Sequence, residues 1–591
     1  MQESQEFSIS KFFQNIAIVQ QEVIKRYVAN FSGHYHDYRD ITSTFFGFIA
    51  EIQVNPKEIY KIQNTCLDLF KKQEEVWKKV FLEHSENQNQ ISAASKKKDR
   101  RFSAPEWTEY PYYNFLQESY LLLEDFSKKI IREVEISDRK KRKLKFYIDQ
   151  YIFAFSPANF LITNPEALKL AAKTNGKSLW DGFNNFVEDF KKGKISQTDE
   201  SAFEVGKNLA ITAGSVIFEN ELIQLIQYRP STKSVSELPL LIIPPWINKY
   251  YILDLQQKNS FVKFLVDKGI TVFMISWRNP MPGSGKFRFD DYVDKGALKA
   301  IHVVKNISGQ NKINVLGYCL GGTLLSIASS ILSLDKKTNP INCGTFLAAM
   351  IDFFDIGPMG NVINGALIKK LERGELLRGG ILHGYDMETA FNLIRANDLI
   401  WNYVVNNYLK GIKPPAFDVM FWTNDNTNLP AEMYIYYMKK MIFENKLSRK
   451  NALRISDTPI DVGRIEFPTY IVAMHEDYIS PAKTAFITTE LVSGPFQFIL
   501  GDSGHVMGIV NPPSKKKYGY FKNGKTGKGF EEWLKTAKYM EGSWWTEWSE
   551  WLIKNSGNEI DAPKKEGNAT FKTIEPAPGK YVKQKNVERF V

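Results

Sequence analysis

Six residues, Gly317-Tyr318-Cys319-Leu320-Gly321-Gly322, constrain the fold of this 591-residue chain more than any other stretch. They separate a short apolar run, Ile313–Leu316, that reads as a buried strand from Thr323–Leu334, which reads as a helix. Gly-x-nucleophile-x-Gly at such a junction is the pattern of a nucleophile elbow. Its glycines permit a tight turn and close packing, and the central side chain stands exposed at the sheet edge. Here that side chain is a thiol, which a helix N-terminus behind it favours as thiolate, and the Leu320 N–H is placed to donate to an oxyanion. A buried structural cysteine in a Gly-rich turn fits the six residues equally well. The charge-free run Ile313–Leu334 is long enough to suggest a membrane span. It contains three glycines and five Ser/Thr residues, however, and is better read as strand plus helix.

The surrounding pattern supports a sheet. From about residue 213, β-branched and aliphatic runs recur at Ser215–Phe218, Leu222–Tyr228, Leu238–Ile243, Thr271–Ile275, Thr345–Met350, Tyr470–Met474 and Phe496–Leu500. Several lack alternation, as strands covered on both faces by helices do. Residues 1–200 read as a mostly helical domain, with apolar residues at three- and four-residue steps in Phe7–Tyr27, Val76–Leu82 and Phe115–Val134 and a polar break at Ser85–Arg101. Residues 201–591 read as an α/β catalytic domain of α/β-hydrolase type. Within it the strand signal lapses between Met350 and Tyr470, where Trp401, Tyr403, Phe421, Trp422, Tyr434 and Tyr437 cluster. A long insertion between strands is most simply a cap or lid, here about 351–445, although an ordinary core is equally aromatic. Toward the C-terminus, Trp533, Trp544, Trp545, Trp548 and Trp551 suggest an amphipathic helix, and a Lys/Pro/Gly-rich tail, about 558–591, reads as extended and partly loose.

Composition narrows the function classes. With 43% hydrophobic and 14% aromatic residues the chain can bury sizeable cores, which excludes wholesale disorder. Cys66, Cys319 and Cys343 are odd in number and scattered, so neither a disulfide framework nor a zinc site is expected, and the setting reads as reducing and cytoplasmic. Met1–Lys11, with Glu3 and Glu6, does not read as a secretion signal. The net charge of +11 is spread over a large surface, and the basic run Arg139–Lys143 lacks an aromatic stacking platform; a solvated face is expected there rather than a nucleic-acid site.

An elbow of this kind expects an acid and then a histidine, each in a loop beyond a later strand, because the three side chains must meet on one sheet edge. After Tyr470–Met474 comes His475-Glu476-Asp477-Tyr478, and after Phe496–Leu500 comes Gly501-Asp502-Ser503-Gly504-His505. His505 is therefore the candidate base. Asp477 is the first candidate acid, with Asp352 the competitor because it follows the strand after the nucleophile; Asp502 lies too near His505 in sequence. The second oxyanion donor is expected from Pro244-Pro245-Trp246-Ile247-Asn248, with the Ile247 N–H as first choice against a plain Pro-Pro turn.

At this point the chain resembles the polyhydroxyalkanoate synthases. The likeness runs over about residues 95–582: Asp99-Arg100-Arg101-Phe102 with Trp107 and Tyr120, Pro244 to Leu255, Ser276-Trp277-Arg278-Asn279-Pro280, the Cys319 box, Arg395 to Trp401, Phe417-Asp418 with Trp422 and Asp425, Ser503-Gly504-His505-Val506, and Pro576-Ala577-Pro578-Gly579. Length and N-terminal region look like class I. The resemblance implies Cys319 as the acylated nucleophile, His505 as its base and Asp477 as the linked carboxylate. It further implies short-chain (R)-3-hydroxyacyl-CoA, with 3-hydroxybutyryl-CoA the first expectation, as substrate, a polyester chain at a cytoplasmic granule surface as product, a homodimer, and no cofactor or metal. Two departures, Tyr478 after the acid and Ala482 where relatives carry Trp, bear on chain-length preference and not on the three catalytic side-chain types. The rival readings are a Cys-type thioesterase or simple acyltransferase and a non-catalytic granule protein.

Overall fold

The computed structural model describes residues 55–82, 99–361 and 363–586, with 21–22, 25, 44 and 46–49. The expected helix Phe7–Tyr27, apart from three positions, the terminus Met1–Lys11 and most of the break Ser85–Arg101 lie outside the described residues. The chain forms two units: one comprises Met1–Asp199, Thr389–Ala416 and Glu588–Val591, the other Glu200–Glu388 and Phe417–Val587.

The first unit is helical. Its helices are α1 (Pro56–Phe81), α2 (Pro111–Glu133), α3 (Asp138–Ala154), α4 (Pro165–Lys173) and α5 (Lys177–Lys192). Asn55 caps α1 by accepting from the Lys57 N–H, with Pro56 at the first helical position. α1 lies along α2, joined by Gln73 to Ser119 at 2.6 Å and Thr65 to Glu133 at 3.0 Å. Phe102 meets Trp107 edge-on at 4.8 Å, and the Arg101 guanidinium beside them is held by Asp99, Glu124 and the Tyr120 hydroxyl. Asp99 and Arg101 of the Asp-Arg-Arg-Phe sequence thus belong to a partly buried ion-pair cluster set against a buried aromatic pair. The basic run Arg139–Lys143 occupies the solvated start of α3, whose Leu144, Phe146 and Tyr147 are buried.

Part of the stretch between Met350 and Tyr470 returns to this first unit. Asn185 donates to the Asn407 carbonyl, Tyr408 to Asp189 and Gln197 to the Leu399 carbonyl. Gly182 permits this approach, since a Cβ there would fall 2.0 Å from the Tyr408 carbonyl oxygen.

The second unit holds an eleven-stranded sheet. Its strands are β1 (Gly214–Glu219), β2 (Ile223–Tyr228), β3 (Leu240–Ile243), β4 (Val272–Trp277), β5 (Ile313–Tyr318), β6 (Ile341–Leu347), β7 (Thr469–Met474), β8 (Phe496–Gly501), β9 (Tyr520–Lys522), β10 (Lys538–Met540) and β11 (Glu575–Pro576). They lie in the order β10-β9-β8-β7-β6-β5-β3-β4-β2-β1-β11. β4, β3, β5, β6, β7 and β8 pair in parallel, and the outer strands are antiparallel. β3, β4, β5 and β7 are buried along their whole length, which accounts for their unalternating sequences. The chain leaves β3 for β4 on one side and returns to β5 on the other, so the sheet has its topological switch between β3 and β5.

Four helices matter for the site: α6 (Phe261–Asp267), α7 (Lys299–Ser308), α8 (Leu320–Leu332) and α9 (Trp544–Lys554). α8 is buried from Leu320 to Ser330, so the charge-free run is β5 followed by a core helix. No helix among the described residues is long and apolar enough to cross a membrane. α9 buries Trp544, Trp545 and Trp548 around Phe261.

Three details differ from the sequence expectation. The strand expected at Thr345–Met350 is β6, which starts at Ile341 and ends at Leu347 because Ala348 turns to φ 45°. The stretch between Met350 and Tyr470 is not strand-free, since Leu453–Ile455 and Thr458–Ile460 form a hairpin and Ile381–Leu382 pairs with Leu429–Pro430. As far as residue 586 the tail is not loose: Glu559–Asp561 pairs with Ser234–Ser236, β11 pairs with β1, and Tyr581 and Val582 are buried.

Gly182→Ala should force α5 and the π-helical segment Val404–Leu409 apart and lower stability by about 1–3 kcal/mol, read as a reduced urea midpoint in far-UV circular dichroism.

Candidate active site

The register of the parallel strands decides which loops can meet. Ile243 pairs with Gly317, Tyr318 with Leu347, Leu347 with Val472, and Val472 with Ile499. The carboxyl ends of β3, β5, β6, β7 and β8 therefore open on the same edge. Cys319 follows β5 directly, Asp477 lies three residues past β7, and His505 four past β8.

Cys319 is the residue before α8 and has φ 52° and ψ −121°. A positive φ is uncommon for a side chain of this kind and is characteristic of a strained turn that exposes one group. The turn is held by the Cys319 N–H donating to the Leu347 carbonyl at 2.8 Å and by glycines with no room to spare. A Cβ on Gly321 would fall 1.8 Å from the Ile243 carbonyl oxygen, so α8 starts directly against the end of β3. Leu320 opens α8, and an N–H at that position has no acceptor within the helix.

Asp477 and His505 form a buried pair, Nδ1 to Oδ2 at 2.7 Å, with side chains 0% and 7% exposed. The other Asp477 oxygen accepts the N–H groups of Ile479 and Ser480, both at 2.8 Å, which fixes the carboxylate while it faces the imidazole. Burial opposes a charged imidazole, but the negative charge of Asp477, followed by the Cys319 side chain through charge and hydrogen bonding, outweighs it and holds His505 well above its ordinary pKa. His505 thus has Asp477 on one side and Cys319 within reach on the other.

The competing carboxylate is engaged elsewhere. Asp352 accepts from the Phe354 N–H at 2.7 Å and from Asn445 Nδ2 at 2.9 Å, and so ties the loop after β6 to the end of the helix Tyr437–Phe443. Asp502 accepts from the Gly519 N–H and the Tyr539 hydroxyl. Ile247 lies in the loop after β3, the strand whose last carbonyl abuts Gly321.

Several residues that shape this site carry no motif. The Tyr318 ring stacks on the His505 imidazole at 5.6 Å and 25°, and its hydroxyl donates to the His505 carbonyl at 3.3 Å. From α9, Trp544 Nε1 donates to the Gly508 carbonyl at 3.0 Å and Trp545 Nε1 to the Ile509 carbonyl at 2.8 Å, which pins the segment just after His505. Tyr437 meets Trp246 and Phe353 edge-on; burial, then the nearby Cys319, pushes its phenol well above the ordinary range. Tyr318 is visible in sequence as the residue before the nucleophile and Tyr437 as one aromatic of the expected cap, whereas Trp544 and Trp545 read only as part of an amphipathic helix, with nothing local to tie them to the site. Among the described residues no group of three or more His, Cys, Asp or Glu side chains could hold a metal ion.

With an imidazole paired to a carboxylate, a thiol near enough to influence that imidazole, and backbone N–H groups at a helix start, the arrangement suits attack on an acyl carbon. Comparison with known proteins adds to this. Residues 98–265 match the family described as "Poly-beta-hydroxybutyrate polymerase (PhaC) N-terminus", and residues 239–512 match the alpha/beta hydrolase fold. The chain is 40% identical to the poly(3-hydroxyalkanoate) polymerase subunit PhaC of Cupriavidus necator, over 91% of this chain and 90% of that one. It is 35% identical to the protein of the same name from Rhizobium meliloti, over 86% and 83% of the two chains. A poly(3-hydroxyalkanoate) polymerase of Methylorubrum extorquens shares 37% identity over 82% and 81%.

Asp477→Asn removes the strongest influence that raises the His505 pKa while burial remains, so the imidazolium should lose its proton at lower pH than in the unaltered protein. Cys319→Ala should shift it in the same direction by a smaller step, and Asp352→Asn should leave it in place. Titration of the His505 ring by NMR reads all three.

Proposed function

The chain belongs to the poly(3-hydroxyalkanoate) polymerase family, and from that premise we propose that it is a class I enzyme that joins short-chain (R)-3-hydroxyacyl units from CoA thioesters into polyester through an acyl group carried on Cys319. The observation that carries this reading is the buried Asp477–His505 pair beside a cysteine on a strained elbow.

In the acylation step His505 accepts the Cys319 proton, the thiolate adds to the thioester carbonyl, and the oxygen that gains charge faces the N–H groups of Leu320 and Ile247. Collapse breaks the carbon–sulfur bond to CoA, which leaves as the thiol with the proton from His505. Cysteine suits a polymerase because its acyl product is again a thioester, about as activated as the substrate, whereas serine would yield a stable ester. In elongation His505 takes the proton from a 3-hydroxyl, whose oxygen attacks another unit's thioester; the carbon–sulfur bond of that thioester breaks and its sulfur leaves as the thiol with the proton from His505, while Asp477 stabilises the imidazolium formed each time. The chemistry calls for no cofactor beyond the CoA that the substrate brings.

Water would intercept the same thioester. The aromatic region within 351–445 is proposed as the cover that excludes it; the placement of Tyr437 near Cys319 and against Trp246 and Phe353 supports this. A homodimer working in the cytoplasm at the surface of polymer granules completes the proposal.

Incubation with (R)-3-hydroxybutyryl-CoA should release CoA and deposit insoluble polyester, and mass spectrometry should find 3-hydroxyacyl on Cys319. Monomeric acid as the sole product, or the label on Cys66 or Cys343, would overturn the reading. Tyr437→Ala should raise the ratio of free 3-hydroxy acid to polymer several-fold without abolishing CoA release.

A further inference from the structure

The loop after β3 is tied to one short stretch of chain, Trp422 to Thr427. Asp425 caps the helix Asp418–Asn424 and accepts from Lys249 Nζ at 2.6 Å through one oxygen and from the Tyr251 hydroxyl at 2.9 Å through the other. Trp422 Nε1 donates to the Lys249 carbonyl at 2.7 Å. The Thr427 hydroxyl donates to the carbonyls of Trp246 at 3.1 Å and Ile247 at 2.8 Å, and Asn248 pairs with Asn426 as an antiparallel bridge. Every residue from Trp246 to Tyr251 except Tyr250 is thus engaged by this stretch.

The chemistry of the clamp is informative. The Lys249 and Asp425 side chains are only 3% and 12% exposed. Burying such a pair loses hydration that apolar side chains of the same volume would not lose, so stability alone is a poor reason for it. What an ion pair with a third, directional partner supplies is register: Lys249 and Tyr251 each have one orientation in which both carboxylate oxygens are satisfied. The other end of the loop is also fixed, because Ile243 abuts Gly321 at the start of α8. Ile247 lies between these two anchors.

We propose that Asp425 is a positioning residue for the reaction at Cys319: by locking Lys249 and Tyr251 it sets the backbone of the loop so that the Ile247 N–H points at the developing oxyanion. The inference rests on the reading of Ile247 as the second oxyanion donor. It also ties the oxyanion loop to the aromatic region 417–437, so that a displacement of Trp422 to Thr427 would remove transition-state stabilisation and leave the nucleophile intact.

The test uses two reactions of the same thiol in the full-length protein. Acylation by (R)-3-hydroxybutyryl-CoA passes through an oxyanion; alkylation by iodoacetamide displaces iodide at a saturated carbon and does not. Asp425→Asn should slow single-turnover CoA release about 100-fold, the scale of losing one oxyanion donor, and leave Cys319 alkylation unchanged. Ile247→Pro, which deletes the N–H itself, should produce the same split. The pair Lys249→Met with Asp425→Leu should melt near the temperature of the unaltered protein yet acylate as slowly as Asp425→Asn. The proposal is overturned if Asp425→Asn acylates at the unaltered rate, if alkylation falls in parallel with acylation, or if the apolar pair recovers acylation together with stability. Normal acylation by Ile247→Pro alongside a slow Asp425→Asn overturns it by removing the oxyanion premise. An acyl label on a residue other than Cys319 is a separate failure, that of the nucleophile assignment.

Discussion

The switch between β3 and β5 governs the site. At that point two neighbouring parallel strands send their continuations in opposite directions, one toward β4 and one into α8, and a crevice opens between them at the carboxyl edge. α8 begins in contact with the last carbonyl of β3, which demands glycine at position 321. The backbone N–H at the start of α8, the thiol at φ 52° and the loop carrying Ile247 all take their places from this one close approach. The remaining groups are delivered to the same edge by strands whose pairing register is continuous from β3 to β8.

Charge in the site is managed by burial and pairing together. A carboxylate with no exposure is tolerable because two backbone N–H groups and an imidazole occupy its oxygens. The imidazole in turn gains more from Asp477 and Cys319 than it loses by leaving water. Tyr318 and the indoles of α9 hold the ring and the segment after it from three directions, and the pair keeps its geometry without relying on flexible side chains. On the proposed acyl-cysteine route this rigidity has a purpose. A base that swings free would activate water as readily as a 3-hydroxyl.

The stretch between Met350 and Tyr470 has two destinies. Thr389–Ala416 is part of the helical unit, while its flanks stay with the sheet and bring Tyr437, Asp352 and the Trp422–Thr427 clamp to the catalytic edge. Buried apolar side chains, Val419, Phe421 and Trp422 among them, pack these flanks into the core of the sheet unit, and buried polar contacts are added to them. Such contacts specify position more sharply than they add stability.

Much of this could be read along the chain. The elbow, the order Cys319, Asp477, His505 and the unalternating strands are local patterns, and local patterns survive in sequence because spacing and side-chain type are what they consist of. The choice between Asp477 and Asp352 was different in kind. Both follow a strand, and only the neighbours each carboxylate meets distinguish them: His505 and two backbone N–H groups for one, Asn445 and the Phe354 N–H for the other. Likewise, Trp544 and Trp545 looked like core residues, and their indole donors acquired a role only when α9 came to rest against the segment after His505. Asp425 and Lys249 stand 176 positions apart along the chain and form one ion pair. The sequence by itself determined which groups the chemistry can use and in what order the strands present them. The tertiary structure decided which distant side chains hold those groups still, because contacts between residues far apart in the chain leave no periodicity or spacing to read.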